Sequence, residues 1–180
     1  VSKTGVRILG LDPGSVHTGY GLVEKSGSRV RQLDCGRLSC RRGMSLPERL
    51  GFLARELDRL IDRTQPELAV LEALFHGRNT RSLIVLAQAR GALLSVLARR
   101  DLEVREYSPA EVKSAITGNG RAGKEQVSRM VGLLLGVDGE KLTADATDAL
   151  AVALCGARRQ RFDRLRSRLP TGDRGTGVSG

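Results

Sequence analysis

Ile8-Leu9-Gly10-Leu11-Asp12-Pro13-Gly14-Ser15 is the stretch on which the fold turns. Val6 to Leu11 is a short apolar run, and Asp12-Pro13-Gly14 is a turn signal, so a buried strand ending at a carboxylate is expected. Downstream, Tyr20–Glu24 and Val30–Leu38 flank Ser26-Gly27-Ser28 and read as a hairpin, making the first three strands an antiparallel meander. Ser45 before Leu46-Pro47-Glu48 marks a helix start. Leu50, Leu53, Leu57, Leu60 and Ile61 keep helical spacing, and the helix should end near Gln65-Pro66. Leu68–Leu71 is a second short apolar strand, carrying Glu72 at its end. Asn79–Arg99 reads as a long helix and Leu102–Tyr107 as a strand. Ser108-Pro109-Ala110-Glu111 reads as a capping box opening a short helix that stops before Gly118-Asn119-Gly120. Two more helices are expected, from about Lys124 to Leu135 and from near Thr143 to about Arg159.

Three strands, helix, strand, helix, strand and then helices suit a mixed α/β sheet with helices on both faces. A crossover through the first helix would set the first and fourth strands side by side and parallel. Asp12 and Glu72 would then share one sheet edge, the edge of carboxyl ends where open α/β sheets tend to bind ligands.

The chain of 180 residues suits one domain, and 40% hydrophobic content suits a packed core. Thirty Lys and Arg against 20 Asp and Glu give a net charge of +10, which favours a polyanionic partner held through counterion release. No amphipathic Trp- or Phe-rich helix points to a membrane surface. The most apolar stretch, Leu83–Leu97, is interrupted by Gln88, Arg90 and Gly91 and does not read as a span. Cys35, Cys40 and Cys155 form no CxxC pair, so reduced thiols in a cytoplasmic protein are expected, not a zinc ribbon or a disulfide framework. From Arg158 the chain turns Arg-rich and then Gly-rich, and residues 159–180 read as a basic tail with little to bury. Such a tail is either inert or holds DNA weakly.

Taken singly, Asp12 is explained by its turn and Glu72 by access to solvent or a donor. Asp145 and Asp148 lie three apart on one face of an otherwise apolar helix (Ala144, Ala146, Ala149, Leu150, Val152). The helix dipole accounts for one such acid, but two repel. Gathering four carboxylates opposes folding unless a cation joins them. Mg²⁺ or Mn²⁺ prefers such oxygens, and two ions about 3.5–4 Å apart would suit an in-line phosphodiester displacement.

Ile8-Leu9-Gly10-Leu11-Asp12-Pro13-Gly14-Ser15, followed by Thr18-Gly19-Tyr20-Gly21, resembles the opening motif of the RuvC family of Holliday junction resolvases. Glu72 with Phe75 resembles the family's second acidic motif, and Gln88-Ala89-Arg90-Gly91 a segment of the following helix. Tyr107-Ser108-Pro109-Ala110-Glu111-Val112-Lys113 and Gly123-Lys124-Glu125-Gln126-Val127 resemble its basic region, and Asp145-Ala146-Thr147-Asp148-Ala149-Leu150-Ala151 its terminal acidic motif. The likeness runs in order from Ile8 to Ala157.

The resemblance implies an RNase H-like fold, with a five-stranded mixed sheet, over residues 1–158, and a homodimer acting on four-way junction DNA. It also implies Mg²⁺-dependent nicking of two strands of like polarity and a RuvA–RuvB-type branch-migration partner. By matched motif, Asp12, Glu72, Asp145 and Asp148 would bind two Mg²⁺ ions, with Mn²⁺ as a substitute. Some family members carry His where this chain has Asp145. Lys113 and Lys124 match basic positions near the cleaved phosphate. Phe75 would stack on junction bases, while Arg78, Arg81 and Arg121 are candidate phosphate contacts. The apolar helix Asn79–Arg99 is either core or half of a symmetric interface.

Two other functions fit parts of the pattern. Asp12-Pro-Gly-Ser with Thr18-Gly19 also resembles the phosphate loop of actin-like ATPases and sugar kinases, although the helix with Asp145 and Asp148 argues against a phosphotransferase. A related RNase H-like nuclease acting on RNA would use the same acids.

Overall fold

A computed structural model of the chain describes residues 5–73, 80–138 and 142–166, with side chains as far as Arg159. β1 (Val6–Asp12), β2 (His17–Ser26) and β3 (Arg29–Ser39) form the expected meander, and Gly27 turns the β2–β3 hairpin at φ +62°. β1 pairs antiparallel with β2 and parallel with β4 (Leu68–Glu72), which pairs parallel with β5 (Glu103–Tyr107). The five-stranded sheet has the order β3-β2-β1-β4-β5, so the mixed sheet is as expected from the sequence. Asp12 and Glu72 close neighbouring parallel strands at the same end.

The helices are α1 (Leu46–Thr64), α2 (Thr80–Arg99), α3 (Pro109–Thr117), α4 (Lys124–Leu135) and α5 (Ala144–Arg166). The capping box expected at Ser108 forms, and the helix entry expected at Ser45 is a second such box. The Glu48 carboxylate accepts the Ser45 backbone N–H at 2.6 Å, and Glu111 accepts that of Ser108 at 2.9 Å. α1 ends where Gln65 takes a left-handed backbone, directly before Pro66.

Strand alternation sends side chains to two cores. Ile8, Val70, Leu150 and Leu154 pack on one face under α3, α4 and α5. Leu9, Leu11, Leu71, Leu57 and Leu93 pack on the other under α1 and α2. Each such aliphatic, withdrawn from water, contributes about 1.5–3 kcal/mol. β4 is buried at Leu68, Ala69, Val70 and Leu71, which is why it reads as an unbroken apolar run.

By length and composition alone α2 is apolar enough to cross a membrane. Here Ala89, Leu93, Val96 and Leu97 are buried in the core of the fold. α5 continues to Arg166, past the end expected near Arg159. Arg159 itself pairs with Glu111 and stands 5.4 Å from the centre of the Tyr107 ring. The remainder of the expected tail, residues 167–180, lies outside the described residues. Cys35, Cys40 and Cys155 are in no disulfide among the described residues.

Candidate active site

The two strand-end acids come together because β1 and β4 are adjacent and parallel. The helical acids arrive by a different device. α5 crosses β1 and β2 where those strands carry glycine. A Cβ on Gly10 would lie 2.1 Å from the Ala149 carbonyl oxygen, and one on Gly19 would lie 2.1 Å from that of Asp145. Gly19 faces Asp12 across the β1–β2 pair. Only a strand stripped of side chains lets the helix backbone approach so closely, and that approach sets Asp145 and Asp148 over the end of β1.

The electrostatics record the gathering. Asp12 is half-buried, and its carboxyl is pushed up to about 6, first by burial and then by the charges of Asp148, Asp145 and Glu72; Lys124 pulls the other way. Glu72 is also raised, chiefly by burial and next by Asp148, while Lys113, Arg90 and Lys124 oppose the rise. Lys124, at the first turn of α4, donates to Asp148 Oδ2 at 2.7 Å, and that bond leads the causes that raise its ammonium.

As the side chains lie, no three carboxylates among the described residues converge closely enough to ligate one ion. The acids repel one another and turn toward cations of the chain itself. Asp148 faces Lys124, and Asp145 accepts a hydrogen bond from Arg37 Nη1 at 3.4 Å. These two ion pairs offset part of the acids' charge. The donor set still has the chemistry of a hard divalent site: it is built of carboxylate oxygens, partly buried, with an excess of like charge that a divalent cation would relieve.

Arg37 was not among the residues singled out from the sequence. It lies on β3, opposite Gly19, and also donates to Ser39 Oγ at 3.1 Å. Nothing local marks it: it is one arginine among several in a half-exposed strand, and its partner is 108 positions away.

Of the other expected residues, Lys113 on α3 is close enough for its charge to hold Glu72 down. Arg81, exposed on the first turn of α2, lines a cleft of about 380 Å³ with Ser15, Ser82, Val85 and Leu86, next to the loop that follows Asp12. Arg121 is exposed between α3 and α4, where its backbone N–H donates to Asn119 Oδ1. A wider cleft of about 900 Å³ runs between α4 and the start of α5, with Lys124 and Asp148 on its wall. Phe75 and Arg78 lie outside the described residues.

Comparison with known proteins bears on what this pocket does. The family described as crossover junction endodeoxyribonuclease RuvC matches residues 8–156. A crossover junction endodeoxyribonuclease RuvC of Chlorobium phaeobacteroides is 46% identical over 148 residues, which are 82% of this chain and 79% of that protein. The one of Bordetella parapertussis is 41% identical over 173 residues, 94% of each chain. Among solved structures, Thermus thermophilus RuvC in complex with a Holliday junction substrate superposes with a TM-score of 0.82 at 30% identity, covering 88% of this chain and 96% of that one. The fold is accordingly RNase H-like.

Proposed function

Because this chain belongs to the RuvC family of crossover junction endodeoxyribonucleases, we propose that it resolves four-way DNA junctions in recombination and repair by nicking two strands of like polarity at symmetric positions. It is a nuclease of the phosphodiester-hydrolysing class, and dependence on a divalent metal comes with the family. The observation that carries the reading is the meeting of Asp12, Glu72, Asp145 and Asp148, from β1, β4 and α5, in one mutually repelling field at the carboxyl end of the sheet.

Asp12, Glu72, Asp145 and Asp148 would hold two Mg²⁺ ions, with Mn²⁺ able to replace them. Such ions supply an activated water and charge stabilisation at the cleaved phosphate. The chain's own groups do the rest. Lys124, 70% exposed at its side chain, can swing from Asp148 to a phosphate oxygen, and Lys113 stands on the Glu72 side. Arg37 neutralises Asp145 from the β3 side. Arg81 and Arg121 are exposed and can take backbone phosphates, as Arg78 would in the loop after Glu72. Phe75 in the same loop would stack on junction bases.

Two cuts need two pockets, and a homodimer provides them. The outward side of α2 suits a self-complementary contact: Ile84 is 53% exposed, and Ala87, Gly91 and Ser95 keep that side flat. Its partner would be a RuvA–RuvB-type branch-migration complex, and its place of action the DNA of the cytoplasm.

The phosphotransferase and RNA-nuclease readings draw no support from relatives named as junction endodeoxyribonucleases. The test is digestion of a labelled four-way junction, duplex DNA and structured RNA side by side, with and without Mg²⁺. Paired, symmetric nicks in the junction that require Mg²⁺ are expected. Preferential RNA cleavage, or ATP binding with no nicking, would overturn the proposal.

A further inference from the structure

Arg90 is the only charged side chain in the buried class among the described residues, only 4% exposed within an otherwise apolar stretch of α2. A guanidinium does not shed its proton at physiological pH, so it keeps its full charge out of water at a cost of several kcal/mol unless well paired. Its partners lie at the metal pocket's edge. Nη1 donates to the backbone carbonyl of Glu72 at 2.7 Å. Nη2 lies 2.8 Å from Glu106 Oε1 on β5, a charge contact without a properly directed hydrogen bond.

The backbone at Glu72 needs such support. Pairing of β4 with β1 stops at Leu71, one residue short, so on the β1 side the ladder does not hold Glu72. On the other side β5 continues: Glu72 pairs with Tyr107, and the Ala73 N–H donates to the Tyr107 carbonyl at 2.8 Å. Arg90 reaches this end of β4 from the helix above the sheet, grips the carbonyl and ties it to Glu106, whose neighbour across the pair is Leu71. A side chain needed only to fill space could be apolar here without the desolvation cost.

We propose that Arg90 is a positioning residue of the metal pocket: its buried guanidinium clamps the Glu72 carbonyl against Glu106 and so aims the Glu72 carboxylate at the bound cation. This rests on the reading of Glu72 as a metal ligand. Arg90 is buried and its contacts are with the Glu72 carbonyl and Glu106. It acts through the backbone of a ligand, as groups that orient metal ligands do. It also joins the helix proposed for self-association to the catalytic end of the sheet, since exposed Gly91 follows it directly.

The test measures Mn²⁺ binding by titration calorimetry on the full chain without DNA, with thermal midpoints recorded in EDTA. Wild type, Arg90→Met, Arg90→Lys, Glu106→Gln and Asp12→Asn are compared. Arg90→Met should weaken Mn²⁺ binding about tenfold or more, with the EDTA midpoint unchanged or raised, because a buried charge is gone. Arg90→Lys, which keeps the charge but loses the fork, should fall between. Junction binding in EDTA should stay within about twofold, since phosphate contacts are untouched. Wild-type Mn²⁺ affinity in a folded Arg90→Met variant overturns the inference. If that variant does not fold, Glu106→Gln decides: a loss of roughly threefold supports the clamp, and no loss overturns it. Failure of the wild type to bind Mn²⁺, or undiminished binding by Asp12→Asn, overturns the ligand assignment itself and this inference with it.

Discussion

Two groups of acids sit at opposite ends of this molecule's electrostatic range. On α1, Asp58 and Asp62 face α2, where Arg100 reaches Asp58 at 2.8 Å and Asp62 at 2.7 Å, and Arg99 reaches Asp58 at 3.2 Å. At the sheet's carboxyl end, Asp145 and Asp148 have one cation each, and Asp12 and Glu72 have no ion pair among the described residues. The first group is matched by arginines, and it fastens one helix to another. The second is partly buried and in excess, so Asp12 resists ionisation. The same side-chain chemistry fastens helices where arginines match it, and suits the proposed metal site where burial and like charge outweigh the cations near it.

The sharpest way to break this contrast is Asp12→Asn. Nicking of a four-way junction should fall below detection in Mg²⁺. Because a crowded buried charge is removed, the metal-free protein should melt higher than wild type near neutral pH, and added Mg²⁺ should stabilise it less. Calorimetry with EDTA or Mg²⁺ reads both; a lower midpoint in EDTA would contradict the view that the pocket is strained by like charge.

The pH dependence tests the same strain with a smaller effect. The folded-state value of Asp12, about 6, lies above its ordinary value of 3.8, so between these the native state binds more protons than the unfolded one. This contribution is fully present below about 3.8 and is lost as pH rises through about 6. Other acids work the opposite way; Glu111, held down by its bonds to Ser108, favours folding only while ionised. Wild type minus Asp12→Asn therefore isolates the term. That difference in EDTA midpoints should grow more unfavourable to wild type from pH 4 to pH 6.5 and shrink in saturating Mg²⁺. At limiting Mg²⁺, nicking should rise across the same interval, since the cation competes with the proton on Asp12.

The smallest effect is expected at the other group. Arg100→Ala removes an exposed interhelical network, so the thermal midpoint should drop by at most a few degrees. Nicking and Mg²⁺ dependence should not change. Loss of activity in this variant would mean that the α1–α2 contact is coupled to the pocket, and the separation of roles drawn above would fail.

The contrast also shows which parts of the site could be read in advance. Asp12 and Glu72 each close a short apolar strand, and a crossover makes two such strands parallel neighbours, so their meeting followed from pattern and topology. Asp145 and Asp148 stood out as two acids on one face of an apolar helix. Arg37 and Arg90 did not stand out as site residues. Arg37 looked like any strand arginine, and Arg90 looked like an interruption of an apolar run. Their partners, Asp145, the Glu72 backbone and Glu106, are defined only once β3 and α2 are packed.

The amino-acid sequence alone determined the periodicities that make the five strands and five helices of the described residues, the capping boxes at Ser45 and Ser108, the stop at Gln65-Pro66 and the basic charge that suits DNA. These depend on neighbours within a few residues or on composition, which a chain carries before it folds. Only the tertiary structure decided that α5 presses onto Gly10 and Gly19, that its two acids are held by Lys124 and Arg37 while Asp12 has no ion pair among the described residues, and that Arg90 is buried against Glu72. Burial and Coulomb energy depend on distances through space, and those distances exist only after the sheet and its helices have closed on one another.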